Sequence, residues 1–266
     1  MNSIASKNWV DTHFHVFEAG VGIVGARYVP SYSARMVDWM AQAQNVGIQR
    51  GVCVQPSFLG TDNSLLLHVL ATHPDLLRGI AVVAPDVQTD VLHAMHEAGV
   101  RGVRLNLAGI SHDIPAWTQA EHVWHVMHSL DWHLELHTDQ GRLPDVLKQL
   151  PSDIALVVDH MAKPLEVSSA DPSLQALVQR AKGSAVHVKL SGAYRLGGLN
   201  ADQLATLFIS ELGVDALLWG SDWPCTRHEH FADFEQLMSQ VHRWLGDGQL
   251  EKVLHDNPMQ LYWRQK

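Results

Sequence analysis

Cysteine is almost absent. Cys53 and Cys225 are the only two in 266 residues. One possible pair in so long a chain is no disulfide framework, so a reducing, cytoplasmic setting is expected. Positive charge is short as well. Nineteen Lys and Arg against 28 Asp and Glu leave a formal net charge of −9, a field that repels phosphate backbones and argues against nucleic acid or an anionic membrane as partner. No apolar run approaches the ~18 residues that suggest a membrane span. Residues 1–9 lack the apolar stretch of a secretory signal, so none is expected. No Gly-rich turn follows the first apolar run, where Asp11-Thr12-His13-Phe14-His15 stands instead, and this counts against a doubly wound dinucleotide-binding sheet. Linkers and low-complexity segments are also missing, so residues 1–266 read as a single domain. What the chain has in quantity is histidine, 18 in all, a metal ligand and a proton carrier near neutral pH.

Short apolar or β-branched runs recur at 9–11, 51–55, 79–83, 102–105, 133–137, 155–159, 186–190 and 216–220. Segments with helical periodicity alternate with them, at 33–46, 63–73, 89–98, 119–129, 143–150, 173–182, 200–212 and 231–245. Strands alternating with helices predict parallel βαβ units, and eight of them in about 250 residues are the size of a (β/α)8 TIM barrel. The two longest irregular segments, 18–32 and 107–117, each follow a strand and therefore belong to the barrel face that carries active sites, where either could act as a lid.

The ends of the strands carry the chemistry. His13 and His15 follow strand one, and residues i and i+2 of an extended strand point the same way. Strand five ends at His137, strand six at Asp159-His160, and strand eight at Ser221-Asp222. A lone His-x-His is a common string, and a strand-end Asp often caps the next helix. Four histidines and Asp222 from four strand ends of one barrel make a joint pattern that separate caps do not explain. Basic residues reach the same rim: Arg104 on strand four, Lys163 after strand six and Arg195 after strand seven, each able to hold a carboxylate or to serve as a surface charge. Ser57 stands as a hydrogen-bond donor to substrate or as a helix cap. Lys189, on strand seven, needs a partner if buried.

Four strings resemble the amidohydrolase superfamily: Val10-Asp11-Thr12-His13-Phe14-His15, Val158-Asp159-His160-Met161-Ala162-Lys163-Pro164, Trp219-Gly220-Ser221-Asp222-Trp223-Pro224 and the closing Asp256-Asn257-Pro258-Met259-Gln260-Leu261-Tyr262-Trp263. Within it they are similar to the branch of 2-pyrone-4,6-dicarboxylate lactonase and its sugar-lactone and muconolactone relatives, as are Val54-Gln55-Pro56-Ser57 and Val100-Arg101-Gly102-Val103-Arg104-Leu105-Asn106. The resemblance runs from residue 10 to residue 263. It implies a distorted (β/α)8 barrel, in agreement with the strand count. It also implies a hydrolase that opens a carboxylate-bearing lactone by base-activated water. The position matching Asp222 acts as general base. Those matching His13, His15 and His160 polarise the carbonyl or hold the site, and Arg104, Lys163 and Arg195 match basic positions of the pyrone-dicarboxylate enzyme.

One position departs from that enzyme, which works without metal and has a tyrosine where this chain has His137. With the histidine, His13, His15, His137 and Asp222 make an N3O set suited to zinc. A metal-free route is preferred, with one zinc or other divalent ion as the alternative. The competing activities are a zinc-dependent decarboxylase of an aromatic acid, a sugar-acid lactonase, and a non-enzymatic binder on the same barrel. The expected partner is a small lactone or carboxylic acid, with a homo-oligomer left open. His93 and His96, and the i, i+3 series His122, His125 and His128, read as solvated helix faces. His228 and His230 read as loop residues, Trp223 as a pocket wall, Cys53 as core and Cys225 as no nucleophile.

Overall fold

The computed structural model describes residues 7–264. Eight strands form one parallel sheet in sequence order: β1 (Trp9–Phe14), β2 (Ile48–Val54), β3 (Leu77–Ala81), β4 (Val100–Asn106), β5 (His133–His137), β6 (Leu156–Val158), β7 (Val186–Leu190) and β8 (Leu217–Trp219). Helices lie between them, α1 (Met36–Asn45), α2 (Ser64–Thr72), α3 (Thr89–Glu97), α4 (Pro115–Thr118), α5 (Glu121–Ser129), α6 (Leu143–Leu147), α7 (Pro172–Arg180) and α8 (Ala201–Leu212), and α9 (Phe234–Trp244) follows β8. The sheet closes where Phe14 pairs with Trp223 in parallel. At that seam the His15 amide donates to Trp223 O (2.9 Å) and the Asp222 amide to His13 O (2.8 Å). The expected TIM barrel is the fold.

Alternation along the strands divides the interior from the layer beneath the helices. On β5, His133, Glu135 and His137 face the barrel axis, while Leu134 and Leu136 join the large apolar cluster between sheet and helices. The axis has two unlike halves. Val52, Val54, Ile80, Val157, Leu218 and Tyr262 form an apolar floor. Above it the interior is ionic, as described below.

Helix starts follow their caps. Asp171 accepts from the Ser173 and Leu174 amides, Asn200 from Gln203, and Asp233 from Glu235 and Gln236, each worth about 1 kcal/mol. The cap at Asp233 explains why α9 begins at Phe234 rather than at 231. The sequence pattern missed the end of the chain, where α10 (Asp247–Glu251), a π-helical turn (Lys252–Asp256) and α11 (Asn257–Tyr262) follow one another. Their role is to close the floor. Asn257 Nδ2 donates to Val214 O (2.9 Å) and Leu217 O (2.8 Å) at the start of β8, and Tyr262 is fully buried there. The closing Asp-Asn-Pro string is therefore architectural. No helix among the described residues is long and apolar enough to cross a membrane.

Candidate active site

A cleft of about 490 Å³ opens at the C-terminal ends of the strands. His15, His137, His160 and Asp222 lie at its base, and Arg27, Arg104, Arg195 and Arg227 line it. Both long irregular segments contribute walls, through residues such as Tyr28 and Ile110. His13 sits just beneath, with no exposed surface.

Asp222 is the centre of the arrangement. Its Oδ1 lies 3.5 Å from His15 Nε2, 3.7 Å from His13 Nε2 and 3.9 Å from His160 Nε2. Its Oδ2 accepts from Arg195 Nε (2.7 Å) and Tyr194 OH (2.6 Å). Burial alone pushes such a carboxyl up, but Arg195, then His160 and His15, hold Asp222 well below the usual carboxylate range. Its backbone is left-handed (φ 57°), as it is through His160, Met161, Ala162 and Lys163. Non-glycine residues adopt that region at a cost, and such runs gather at functional sites. Two glycines make room. A Cβ on Gly220 stands 2.5 Å from His13 Cβ, and one on Gly192 (φ 58°) stands 2.6 Å from His160 Nδ1.

The imidazoles are held by their far nitrogens. His15 Nδ1 donates to Val54 O (2.7 Å), and His160 Nδ1 meets Ser191 Oγ (3.0 Å). Burial lowers His13 and His137 well below the usual histidine value and His160 to about 3, so these rings are neutral at physiological pH.

Beneath His13 lies a layer of charge. Arg104 donates from Nε (3.1 Å) and Nη2 (2.9 Å) to Asp159 Oδ2, and its Nε lies 3.4 Å from Glu135 Oε1. Lys189 donates to Glu135 Oε2 and stands 3.5 Å from Asp159 Oδ1. All four are at most 2% exposed. Two cations balance two anions, without which burial on this scale is prohibitive. Burial and the nearby Asp159 push Glu135 up to about 7. This is the partner set that Lys189 requires.

A model of the amidohydrolase family matches residues 10–264. The chain belongs to the amidohydrolase family. It is 30% identical to a 2-pyrone-4,6-dicarboxylate hydrolase of Comamonas testosteroni, over 96% of this chain and 90% of that one. It is 31% identical to a 4-sulfomuconolactone hydrolase of Rhizobium radiobacter, over 95% and 89%. A crystal structure from Acinetobacter baumannii, described as a probable 2-pyrone-4,6-dicarboxylic acid hydrolase with citric acid bound, superimposes with a TM-score of 0.83 at 32% identity, covering 97% of this chain and 100% of that one. A 2,6-dihydroxybenzoate decarboxylase shares the barrel at a TM-score of 0.64 and 15% identity.

The donor set of this amidohydrolase fits a single divalent ion. His13 Nε2 and His15 Nε2 are 3.3 Å apart, and with Asp222 Oδ1 they make a triangle of 3.3, 3.5 and 3.7 Å. Tetrahedral ligands at zinc-like bond lengths of about 2.0–2.1 Å stand roughly 3.3–3.4 Å apart. His137 is outside this compact set. Its ring meets His160 edge-on at 4.7 Å, and both its nitrogens are buried without a hydrogen-bond partner. Of the four residues expected from the sequence, His13, His15 and Asp222 form the compact part and His137 stands beside them.

The remaining sequence expectations fall at several depths. Ser57 lines the cleft and opens a 3-10 turn without capping it. Lys163 is half-buried and is not a lining residue. Trp223 is buried behind the seam rather than in the wall, because its backbone serves barrel closure. His228 packs on Tyr194 at 5.0 Å. The amidohydrolase site also uses residues that the sequence reading passed over. Tyr194 binds Asp222, Ser191 meets His160, Glu135 pairs with Lys189, and Arg27 and Arg227 stand exposed at the cleft mouth. Glu135 had a readable signal, an acid alternating with His133 and His137 on a strand otherwise made of leucine.

Proposed function

We propose that the protein hydrolyses a lactone bearing one or more carboxylates, 2-pyrone-4,6-dicarboxylate or a muconolactone being the model substrates. The observation that carries this is the Asp222 carboxylate, ionised and facing three imidazoles at the base of a cleft lined by four arginines, in a chain about 30% identical over nearly its whole length to two lactone hydrolases. Asp222 takes the proton of the attacking water. His13, His15 and His160 face the developing oxyanion, where a preorganised donor is most effective. Arg104 and Arg195 hold acidic groups of the substrate, Lys163 adds positive charge from outside the lining, and Ser57 and His137 shape the pocket. A substrate carboxylate on Arg195 competes with Asp222 for the same guanidinium. It thereby relieves the hold that keeps Asp222 weakly basic, and the base is strengthened when substrate is present.

This route needs no metal. If an ion is bound, His13, His15 and Asp222, with His137 beside them, would hold it, and it would supply carbonyl polarisation and a lowered water pKa. We place the enzyme in the cytoplasm as one domain, with small molecules as its partners.

The test is a panel of pyrone-dicarboxylate, muconolactone, sulfomuconolactone and sugar lactones. It is followed by ring-opening absorbance and carbon dioxide release, with and without chelator and alongside elemental analysis. Ring opening without carbon dioxide is expected. Carbon dioxide release from an intact aromatic acid points to the decarboxylase instead, and tight binding without turnover to a binding protein.

A further inference from the structure

The four arginines of the cleft are not equivalent. Arg104 and Arg195 are already bonded to carboxylates of the protein, Asp159 and Asp222. A substrate acid that reaches either one shares the guanidinium with an internal partner. Arg27 and Arg227 line the same cleft from its exposed mouth. Among the described residues, neither has a carboxylate on its guanidinium. The acid beside Arg227 is Glu229, whose Oε1 accepts instead from the Arg227 backbone amide (2.8 Å) and from Tyr32 OH (2.8 Å).

Both free guanidiniums are nevertheless held in place. Arg27 Nη1 lies over Gly109, so closely that a Cβ there would stand 2.8 Å from it. Gly109 is left-handed (φ 72°), and it leaves the room that this arginine fills. Arg227 Cζ stands 5.9 Å from the centre of the Tyr28 ring. A cation over an aromatic face keeps the N–H edges of its fork open to a ligand. Tyr28 follows Arg27 in the chain and lines the cleft with it. The Arg227 backbone is itself left-handed (φ 69°), which a side chain of this size adopts at a cost. The chain as a whole carries −9, a field that repels acids. Two unneutralised cations at the mouth reverse that field where a ligand enters.

We propose that Arg27 and Arg227 form an anion subsite at the mouth of the cleft, which takes the second acid group of a doubly charged substrate. The first acid group lies deeper, beside Arg104 and Arg195. A carboxylate or a sulfonate fits the mouth subsite, whereas a neutral sugar lactone leaves both guanidiniums without a partner. Arg27 and Arg227 thus set specificity for diacids. The choice of a lactone diacid rests on the reading above, whereas the anion subsite stands without it.

The experiment measures by calorimetry the binding of benzene-1,3-dicarboxylate, a planar diacid with no lactone to open, to the full-length protein. It uses Arg27→Met, Arg227→Met and the double variant, which keep the apolar stem and remove the charge. Salt is varied from about 0.02 M to about 0.5 M. At low salt each single variant binds about fivefold more weakly and the double variant about 20-fold. These differences narrow as salt rises, because they are electrostatic. A merely structural role gives an offset that salt does not narrow, and that result overturns the proposal. So does a double variant that binds the diacid as the wild type does at low salt, or a wild-type protein that does not bind it. With 2-pyrone-4,6-dicarboxylate the same variants raise KM by similar factors, with the smaller change in kcat. Absence of turnover with the pyrone in the wild-type protein defeats the lactone reading and leaves diacid binding to decide the subsite.

Discussion

Histidine occurs in two settings in this molecule. At the mouth of the barrel, His13, His15, His137 and His160 are nearly inaccessible, and each ring touches another ionisable group. On the outer helices, His93, His122, His125 and His128 face solvent. His122 meets a backbone carbonyl, Val87 O at 3.0 Å, and His128 an exposed aspartate, Asp153, at 3.3 Å. The residue type is the same and even the spacing is suggestive in both places. The difference is what burial imposes. A buried ring must have its protons assigned by neighbours, whereas an exposed one exchanges them with water. Chemistry resides where the protein, rather than solvent, decides the protonation state.

The sharpest way to break the contrast is at its centre. Asp222→Asn keeps the shape of the mouth and removes the base, and kcat falls by about 10³-fold, in the range of general base catalysis. A variant with full lactone turnover refutes the assignment. Next in size is Gly192→Ala. Its methyl meets the His160 ring at 2.6 Å in a left-handed backbone position, so thermal unfolding reports a loss of about 1–3 kcal/mol and kcat declines with it.

Acid separates the two settings as a slope. Burial lowers His13, His133 and His137, brings His160 to about 3 and His187 to about 4. These rings stay neutral in the folded protein while the unfolded chain takes up protons below about 6.5. The unfolded state then binds more protons, so stability is lost as pH falls from 6.5 toward 4. Each such ring contributes about 1 kcal/mol per pH unit to the slope, which urea titrations across that range measure. A flat profile contradicts the neutral interior. At the small end, His122→Gln, His125→Gln and His128→Gln each change stability by no more than about 0.5 kcal/mol and leave kcat as it was. A kinetic effect from any of them brings the outer ring into the chemistry.

The barrel was legible because periodicity and strand count survive in a single sequence. All eight strands lie where the apolar runs are: β5 and β7 coincide with them, and the other six differ by one to three residues at an end. The rim residues were legible because a strand delivers whatever follows it to one face. What escaped needs the third dimension. Lys189 and Glu135 are 54 residues apart, and only closure makes them partners. That the Arg195 guanidinium also grips Asp222 is visible only in three dimensions. The terminal helices escaped because each run is short, and their buried positions, Leu250, Val253, Leu254 and Tyr262, pack beneath the floor instead of along a strand.

The seam of the barrel also bears on how the protein is made. Asp11 accepts from the Ser221 amide (2.9 Å) across 210 residues, and Asp222 and His13 join through their backbones beside it. A growing chain presents the histidine pair at the end of β1 long before Asp222, which follows β8. Until β8 arrives there is neither a closed barrel nor a site. Closure of the barrel and assembly of the candidate site are therefore a single event.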